Sequence, residues 1–292
     1  MKNKKFVAWG VKLHTDTYSY IHDSYCKAFA SLGWESVHYD GTEKDVDIKD
    51  SIVMVSNHYE NTVPLHPSNK YITHNCMRDE FKNYKRLSLQ VYTNGTNSAG
   101  SVGEKINDYT VFDNHSKTLY QPWATDLLPD EIDVNYYSNN SKKCVWVGSL
   151  NNCPRFGNLS KIQPVIDGLK THGFHFNHIN PWSNPVSHEK NRQLVFESEV
   201  SPTLVGQWQL ENDYIPCRFF KNISYGKLCL TNSSIIVKLL NDSVVYGEGK
   251  DLVDLYLSLN QTKQKIMFEH SINEIKTNHT FKSRVEQILK VI

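Results

Sequence analysis

The sequence predicts an α/β fold made of two Rossmann-like units, and three observations carry that expectation. A strand–loop–helix run opens the chain at about residue 5 and opens again at about residue 144. The strand candidates are short and nearly unbroken apolar runs, such as SIVMVSN at Ser51–Asn57. That pattern belongs to strands covered on both faces, as in a parallel sheet. Between the two halves, Leu119–Asp133 carries two prolines and a set of acidic residues, the composition of a crossing between domains.

The elements follow in order. KFVAWG at Lys5–Gly10 is β-branched and aromatic and predicts the first strand. Ile21, Tyr25, Ala28 and Phe29 then fall at helical spacing, with Gly33 as the stop. Glu35–Asp40 is the second strand and Ser51–Asn57 the third; Tyr71–Asn75, Leu89–Thr93 and Thr110–Phe112 continue the series. Several of these runs end in polar residues, Asn57-His58 and His74-Asn75 among them, which predicts one rim where polar side chains gather. In α/β sheets that rim, at the C-terminal ends of the strands, is where ligands bind. After the crossing, Cys144–Gly148 restarts the pattern, with a helix over Leu159–Thr171 and a strand over His175–Ile179. A helix over Ser187–Ser198 comes next, and Pro202–Trp208 holds a short strand. The end of the chain reads as helix, strand and helix from Ile235, then two more helices over Lys263–Ile292.

Composition excludes several classes. The 292 residues carry 32 basic and 31 acidic side chains, so no overall charge draws the chain to a polyanion. Six scattered cysteines form no C-x-x-C pair, so neither a zinc site nor a redox motif is expected. The start of the chain has too short an apolar run for a signal peptide, and no run reaches the ~18 apolar residues of a membrane span. A reduced, cytoplasmic protein is the expectation. The Asn-rich composition points to an AT-rich genome, such as a viral one. Neither first-strand turn carries G-x-G-x-x-G, which argues against a dinucleotide-dependent oxidoreductase.

The stretch Asp213–Asn232, DYIPCRFFKNISYGKLCLTN, is the most informative. Asp213 is placed to cap a helix, Pro216 fits its first turn, and Gly226 fits a left-handed C-terminal stop. Phe219, Phe220 and Ile223 form the expected buried face; Arg218, Lys221 and Asn222 share the opposite stripe. This segment resembles the late R-x-F-E-x-x-x-x-G-x-x-x-x-T helix–strand signature of GT-B glycosyltransferases. Arg218 keeps the Arg, while Lys221 stands at the Glu position. A lysine cannot accept hydrogen bonds from ribose hydroxyls as a carboxylate does. The final helix, NHTFKSRVEQILKVI, resembles the closing H-T-x-x-x-R-x-x-x-I-L helix of the spore-maturation-type glycosyltransferases through His279, Thr280, Arg284, Ile288 and Leu289. The helix–strand signature also resembles that of bacteriophage DNA β-glucosyltransferases, and more weakly that of α1,3-fucosyltransferases.

The resemblance implies a GT-B fold, with two facing Rossmann-like domains and a cleft between them. The expected boundaries are 1–125 for an acceptor-side domain, 126–276 for a nucleotide-sugar domain, and 277–292 for a helix returning to the first. It implies hexosyl or deoxyhexosyl transfer from a UDP- or GDP-linked donor to a glycan or other small hydroxyl acceptor, with no cofactor. DNA is a second possible acceptor, and a degenerate sugar-nucleotide-binding protein without turnover is a third reading. Donor contacts are expected from Gly148, Ser149, Asn152 and Arg155 in the first loop of the second domain, and from Arg218, Lys221 and Asn222. A metal-free diphosphate site needs such backbone N–H groups, helix N-termini and cations. No metal is expected: Asp45-Val46-Asp47 matches a D-x-D motif but precedes its strand inside a charged surface stretch. The proton acceptor is expected in the cluster after the first strand, with Asp16 and His14 leading and His22 beside them. His58, His74 and Asp79 are reserves. An ordinary surface or capping role is open for each of these histidines.

Overall fold

The computed structural model describes residues 4–12, 17–91 and 103–292. The chain divides into two compact units, Met1–Pro122 with Phe281–Ile292, and Trp123–Thr280.

The first unit is built on an eight-stranded sheet. Its strands are β1 (Lys5–Trp9), β2 (Glu35–Tyr39), β3 (Ser51–Ser56), β4 (Lys70–His74), β5 (Lys85–Gln90), β6 (Glu104–Asn107), β7 (Thr110–Asp113) and β8 (Thr118–Tyr120). Their spatial order is β2-β1-β3-β4-β5-β8-β7-β6. The first six positions are parallel, and β8-β7-β6 closes the sheet as an antiparallel meander. Every residue of β3 is buried, as its unbroken apolar run requires. Helix α1 (Thr17–Ser31) packs Phe29 flat on Phe6, ring centroids 3.9 Å apart. The C-terminal helix Phe281–Val291 lies on α1, with Phe281 edge-on to Tyr25 at 4.8 Å. Arg284 on that helix is fully buried and its Nε donates to the Pro122 carbonyl at 2.8 Å.

Two expectations shift. The fifth strand covers Lys85–Gln90 rather than Leu89–Thr93; its first residues, Lys85 and Arg86, are exposed and disguise a strand whose Leu87 and Leu89 are buried. Of the expected range, Tyr92 and Thr93 lie outside the described residues. The expected Thr110 strand also gains an antiparallel partner in β6, for which no expectation was formed; EKIN is a polar edge strand, and edges are kept polar to prevent pairing with other chains.

The second unit carries β9 (Lys143–Val147), α2 (Leu159–Thr171), β10 (His175–Ile179), α3 (His188–Glu197), α4 (Gln207–Glu211), α5 (Cys217–Ser224), β11 (Leu230–Thr231), α6 (Ser234–Leu239), β12 (Val245–Tyr246), α7 (Gly249–Ser258) and α8 (Gln261–Asn278). Parallel bridges Cys144↔Val200 and Thr203↔Thr231 join the β10-β9 and β11-β12 pairs through the segment 200–203. The strand expected in Pro202–Trp208 is therefore a bridge at Thr203 followed by α4.

Candidate functional site

In the second unit, polar groups collect where β9 ends. Gly148 has φ +143, a conformation that favours glycine. Its N–H donates to the Ile179 carbonyl at 2.9 Å, and its own carbonyl pairs with His178 Nε2 at 2.8 Å. A side chain is also excluded by space: a Cβ on Gly148 would lie 1.8 Å from Nη2 of Arg218. Arg218 sits in the first turn of α5 and reaches back to this point. Its Nε donates to the Val147 carbonyl at 2.9 Å, and its guanidinium carbon lies 3.8 Å from the ring centroid of Trp146. Burial against that ring lowers the guanidinium to about 10, so it stays charged at neutral pH.

The loop from Ser149 to Asn158 is held by Asn158. Its Oδ1 accepts from the Asn151 N–H at 2.9 Å, and its Nδ2 donates to the Ser149 carbonyl at 3.0 Å. Asn158 is the N-cap of α2 but makes no side-chain cap bond. The first turn of α2 is satisfied by backbone instead: Leu159 N–H donates to the Asn151 carbonyl at 3.1 Å, and Lys161 and Ile162 N–H donate to the Asn158 carbonyl, each at 3.1 Å. Asn152 and Arg155 are exposed, and Arg155 stacks over Phe156 at 5.0 Å.

Helix α5 departs from the expected pattern. It starts after Pro216 as N-cap, and Asp213, at φ +49, does not cap it. Gly226 ends it as expected: φ is +92, its N–H bonds the Ile223 carbonyl at 2.9 Å, and Lys227 N–H bonds the Asn222 carbonyl at 3.0 Å. Two of the three residues of the expected polar stripe, Lys221 and Asn222, are buried. Asn222 Nδ2 donates to the Ser201 carbonyl at 3.0 Å. Lys221, 4 % exposed, turns to Asp126, its Nζ 4.0 Å from Oδ1. Asp126 also accepts from Tyr225 Oη at 2.6 Å and pairs with His188 Nδ1 at 3.1 Å. Burial pushes the Asp126 carboxyl up, but Lys221, His188 and Tyr225 outweigh it and hold it well below the usual carboxylate range. Lys221 and Asn222 are thus held by interior partners, while Arg218 alone of the three reaches Gly148. The sequence reading missed Asp126, which lies far from Lys221 along the chain and inside the crossing segment.

In the first unit, His14 and Asp16 lie outside the described residues. His22 is described and is 2 % exposed; among the described residues its Nδ1 has no hydrogen-bond partner. Gly10, at φ +154, leaves the space against which this nitrogen lies, since a Cβ there would be 3.1 Å from it. Burial lowers His22 to about 3, helped by His38 and His74. His38 is clamped by Asp23, 2.5 Å from Nδ1, and by the Gly10 carbonyl, 2.9 Å from Nε2. Tyr18 links the cluster: its ring centroid lies 5.2 Å from His58, 5.4 Å from His74 and 6.4 Å from His22. Burial also lowers His74 to about 4, against the bond to the Leu89 carbonyl. These residues come from α1 and from the C-terminal ends of β2, β3 and β4, the rim the sequence predicted. Asp79 stands apart as an exposed ion pair with Lys82 at 2.6 Å. Asp45 and Asp47 are exposed, and Asp47 pairs with Lys49 at 2.6 Å. Among the described residues no group of three or more His, Cys, Asp or Glu side chains is arranged to hold a metal ion.

The architecture is the α/β GT-B fold of glycosyltransferases. The chain is similar to an alpha-glucosyltransferase whose structure was solved with UDP and a 13-mer DNA containing a HMU base. The identity is 10%, the TM-score 0.60, and the match covers 98% of each chain. It is also similar to AviGT4, a glycosyltransferase involved in avilamycin A biosynthesis, at 10% identity and TM-score 0.50, over 98% of this chain and 97% of the other. No protein-family model and no curated protein sequence matches.

Proposed function

We propose that the protein is a glycosyltransferase that moves a hexosyl or deoxyhexosyl group from a UDP- or GDP-linked donor to a hydroxyl acceptor without a metal. The observation that carries this reading is the charged guanidinium of Arg218 set against Gly148, at the C-terminal end of β9. In the transfer, the bond from the sugar's anomeric carbon to the diphosphate breaks and a bond to the acceptor oxygen forms. Negative charge grows on the departing diphosphate, and Arg218 with backbone N–H groups of the loop after Gly148 would balance it. Ser149 and Asn152 contribute through that loop, and Arg155 is a second, solvent-facing cation. Lys221 and Asn222 keep α5 in place and are not assigned to the donor.

The acceptor proton must leave for a base or for the departing phosphate. His14, Asp16 and His22 remain the assigned candidates. Burial holds His22 neutral, so its part in this step would be to accept a hydrogen bond from the acceptor hydroxyl rather than to keep the proton. The balanced charge favours a glycan or other small acceptor. The likeness to a DNA-bound glucosyltransferase supports hydroxymethylated DNA as a second acceptor. A cytoplasmic setting fits the six free cysteines. Among the described residues no helix is long and apolar enough to cross a membrane.

A thermal-shift panel of UDP-, GDP-, CDP- and dTDP-sugars, with and without EDTA, tests the donor reading. One nucleotide class should raise the Tm regardless of EDTA, and Arg218→Ala should lose that shift. If no sugar nucleotide stabilises the protein, the reading fails. Binding without transfer to glycan or DNA acceptors would leave a degenerate sugar-nucleotide-binding protein.

A further inference from the structure

Trp146 is fully buried in β9, and its indole N–H has no hydrogen-bond partner among the described residues. An unpaired buried N–H destabilises the fold, because the hydrogen bond it made to water is lost and not replaced. A phenylalanine would fill much of the same core space without that cost, so simple packing does not account for a tryptophan here. What the indole adds is its π face. The guanidinium carbon of Arg218 stands 3.8 Å from the ring centroid, well inside the ~6 Å range of a cation–π contact, for which tryptophan is the strongest partner. The guanidinium is therefore held at two places, by the ring on one face and by the Val147 carbonyl at Nε. The absence of a side chain on Gly148 makes room for Nη2. A free arginine samples many rotamers, and fixing one beforehand removes an ordering cost from ligand binding.

We infer that Trp146 is a positioning residue for recognition of the donor's diphosphate, acting through Arg218, whose guanidinium it orients beside Gly148. The inference rests on the donor reading above, but makes a separate claim. It assigns to a residue buried in the sheet a selective effect on the phosphate part of the ligand and none on the nucleoside part.

The test compares wild type, Trp146→Phe and Trp146→Met for binding of the nucleoside diphosphate that the wild type prefers, by calorimetry. Binding of the matching nucleoside is followed by ligand-observed NMR. Trp146→Met should weaken the diphosphate about tenfold and Trp146→Phe about two- to fivefold, since a smaller π face restores part of the contact. Nucleoside binding should stay within twofold in both. In an Arg218→Ala background, Trp146→Phe should have no further effect on the diphosphate. Equal losses for nucleoside and diphosphate, or an unchanged diphosphate affinity in Trp146→Phe, would overturn the inference while leaving the donor reading intact. If Trp146→Met does not fold, the Trp146→Phe comparison and its Arg218→Ala background decide the matter alone. A wild type that binds no nucleoside diphosphate defeats the donor reading itself.

Discussion

Gly148→Ala probes the geometry on which the proposed donor site depends. The new Cβ would fall 1.8 Å from Nη2 of Arg218, at a backbone φ of +143. Two costs follow. The backbone conformation costs a non-glycine residue about 1–3 kcal/mol. The guanidinium, the far end of a flexible side chain, swings away and forfeits its stack on Trp146, worth about 0.5–2 kcal/mol. The strain cost persists when Arg218 is replaced by alanine, but the second cost disappears, because the displaced group is no longer there. The double variant should therefore be more stable than the sum of the single variants implies, by about 0.5–2 kcal/mol. Donor affinity behaves differently. A charge-assisted contact is worth about 1.5–3 kcal/mol, so Gly148→Ala and Arg218→Ala should each lose about 10- to 150-fold, and the double variant should lose no more than either. Urea unfolding followed by tryptophan fluorescence gives the stabilities, and calorimetry with the preferred sugar nucleotide gives the affinities. Strictly additive stabilities, or a Gly148→Ala protein that keeps its donor affinity within twofold, would refute the argument.

Other predictions follow from the same structure. Lys221→Met leaves the Asp126 carboxylate buried without its cation and should cost about 3–5 kcal/mol, part of which Asp126→Asn should restore; a neutral Lys221→Met in urea titration would show that the pair does not matter. His22 and His74 are held below the ordinary histidine value, so the unfolded chain takes up protons that the folded chain refuses as pH falls from about 6.5. Stability is fully present above that pH and declines below it, by up to about 1.4 kcal/mol per pH unit for each histidine, until the folded values near 3 and 4 are reached. His22→Phe should flatten this slope between pH 6.5 and 5, and an unchanged slope would place the titration elsewhere. Gly226→Ala, at φ +92 in the stop of α5, should cost about 1–2 kcal/mol by thermal melting and leave the preferred donor bound with wild-type affinity.

Local patterns in the sequence determined much of this protein. The apolar runs determined the parallel strands, because a strand covered on both faces leaves little room for polar residues. Gly226 determined where α5 ends, because a left-handed stop favours glycine whatever surrounds it. The gathering of polar residues at strand ends determined which rim would hold His58 and His74. Arg218 and Gly148 could be named from sequence, but their contact could not, since 70 residues of chain separate them. The tertiary structure alone decided the fate of Lys221 and Asn222. Helical spacing gives the stripe a side chain occupies, but not what packs against that stripe. Here the chain buries Lys221 and Asn222, and Asp126 meets Lys221. The same limit applied to Trp146 and His22. A buried tryptophan looks like ordinary core in sequence, and His22 could be named there as a candidate but its burial could not. Only the fold shows that one holds a guanidinium on its face and that the other has a ring nitrogen with no partner among the described residues. Periodicity follows from the backbone of each element alone, whereas partnership follows from which distant elements are brought into contact.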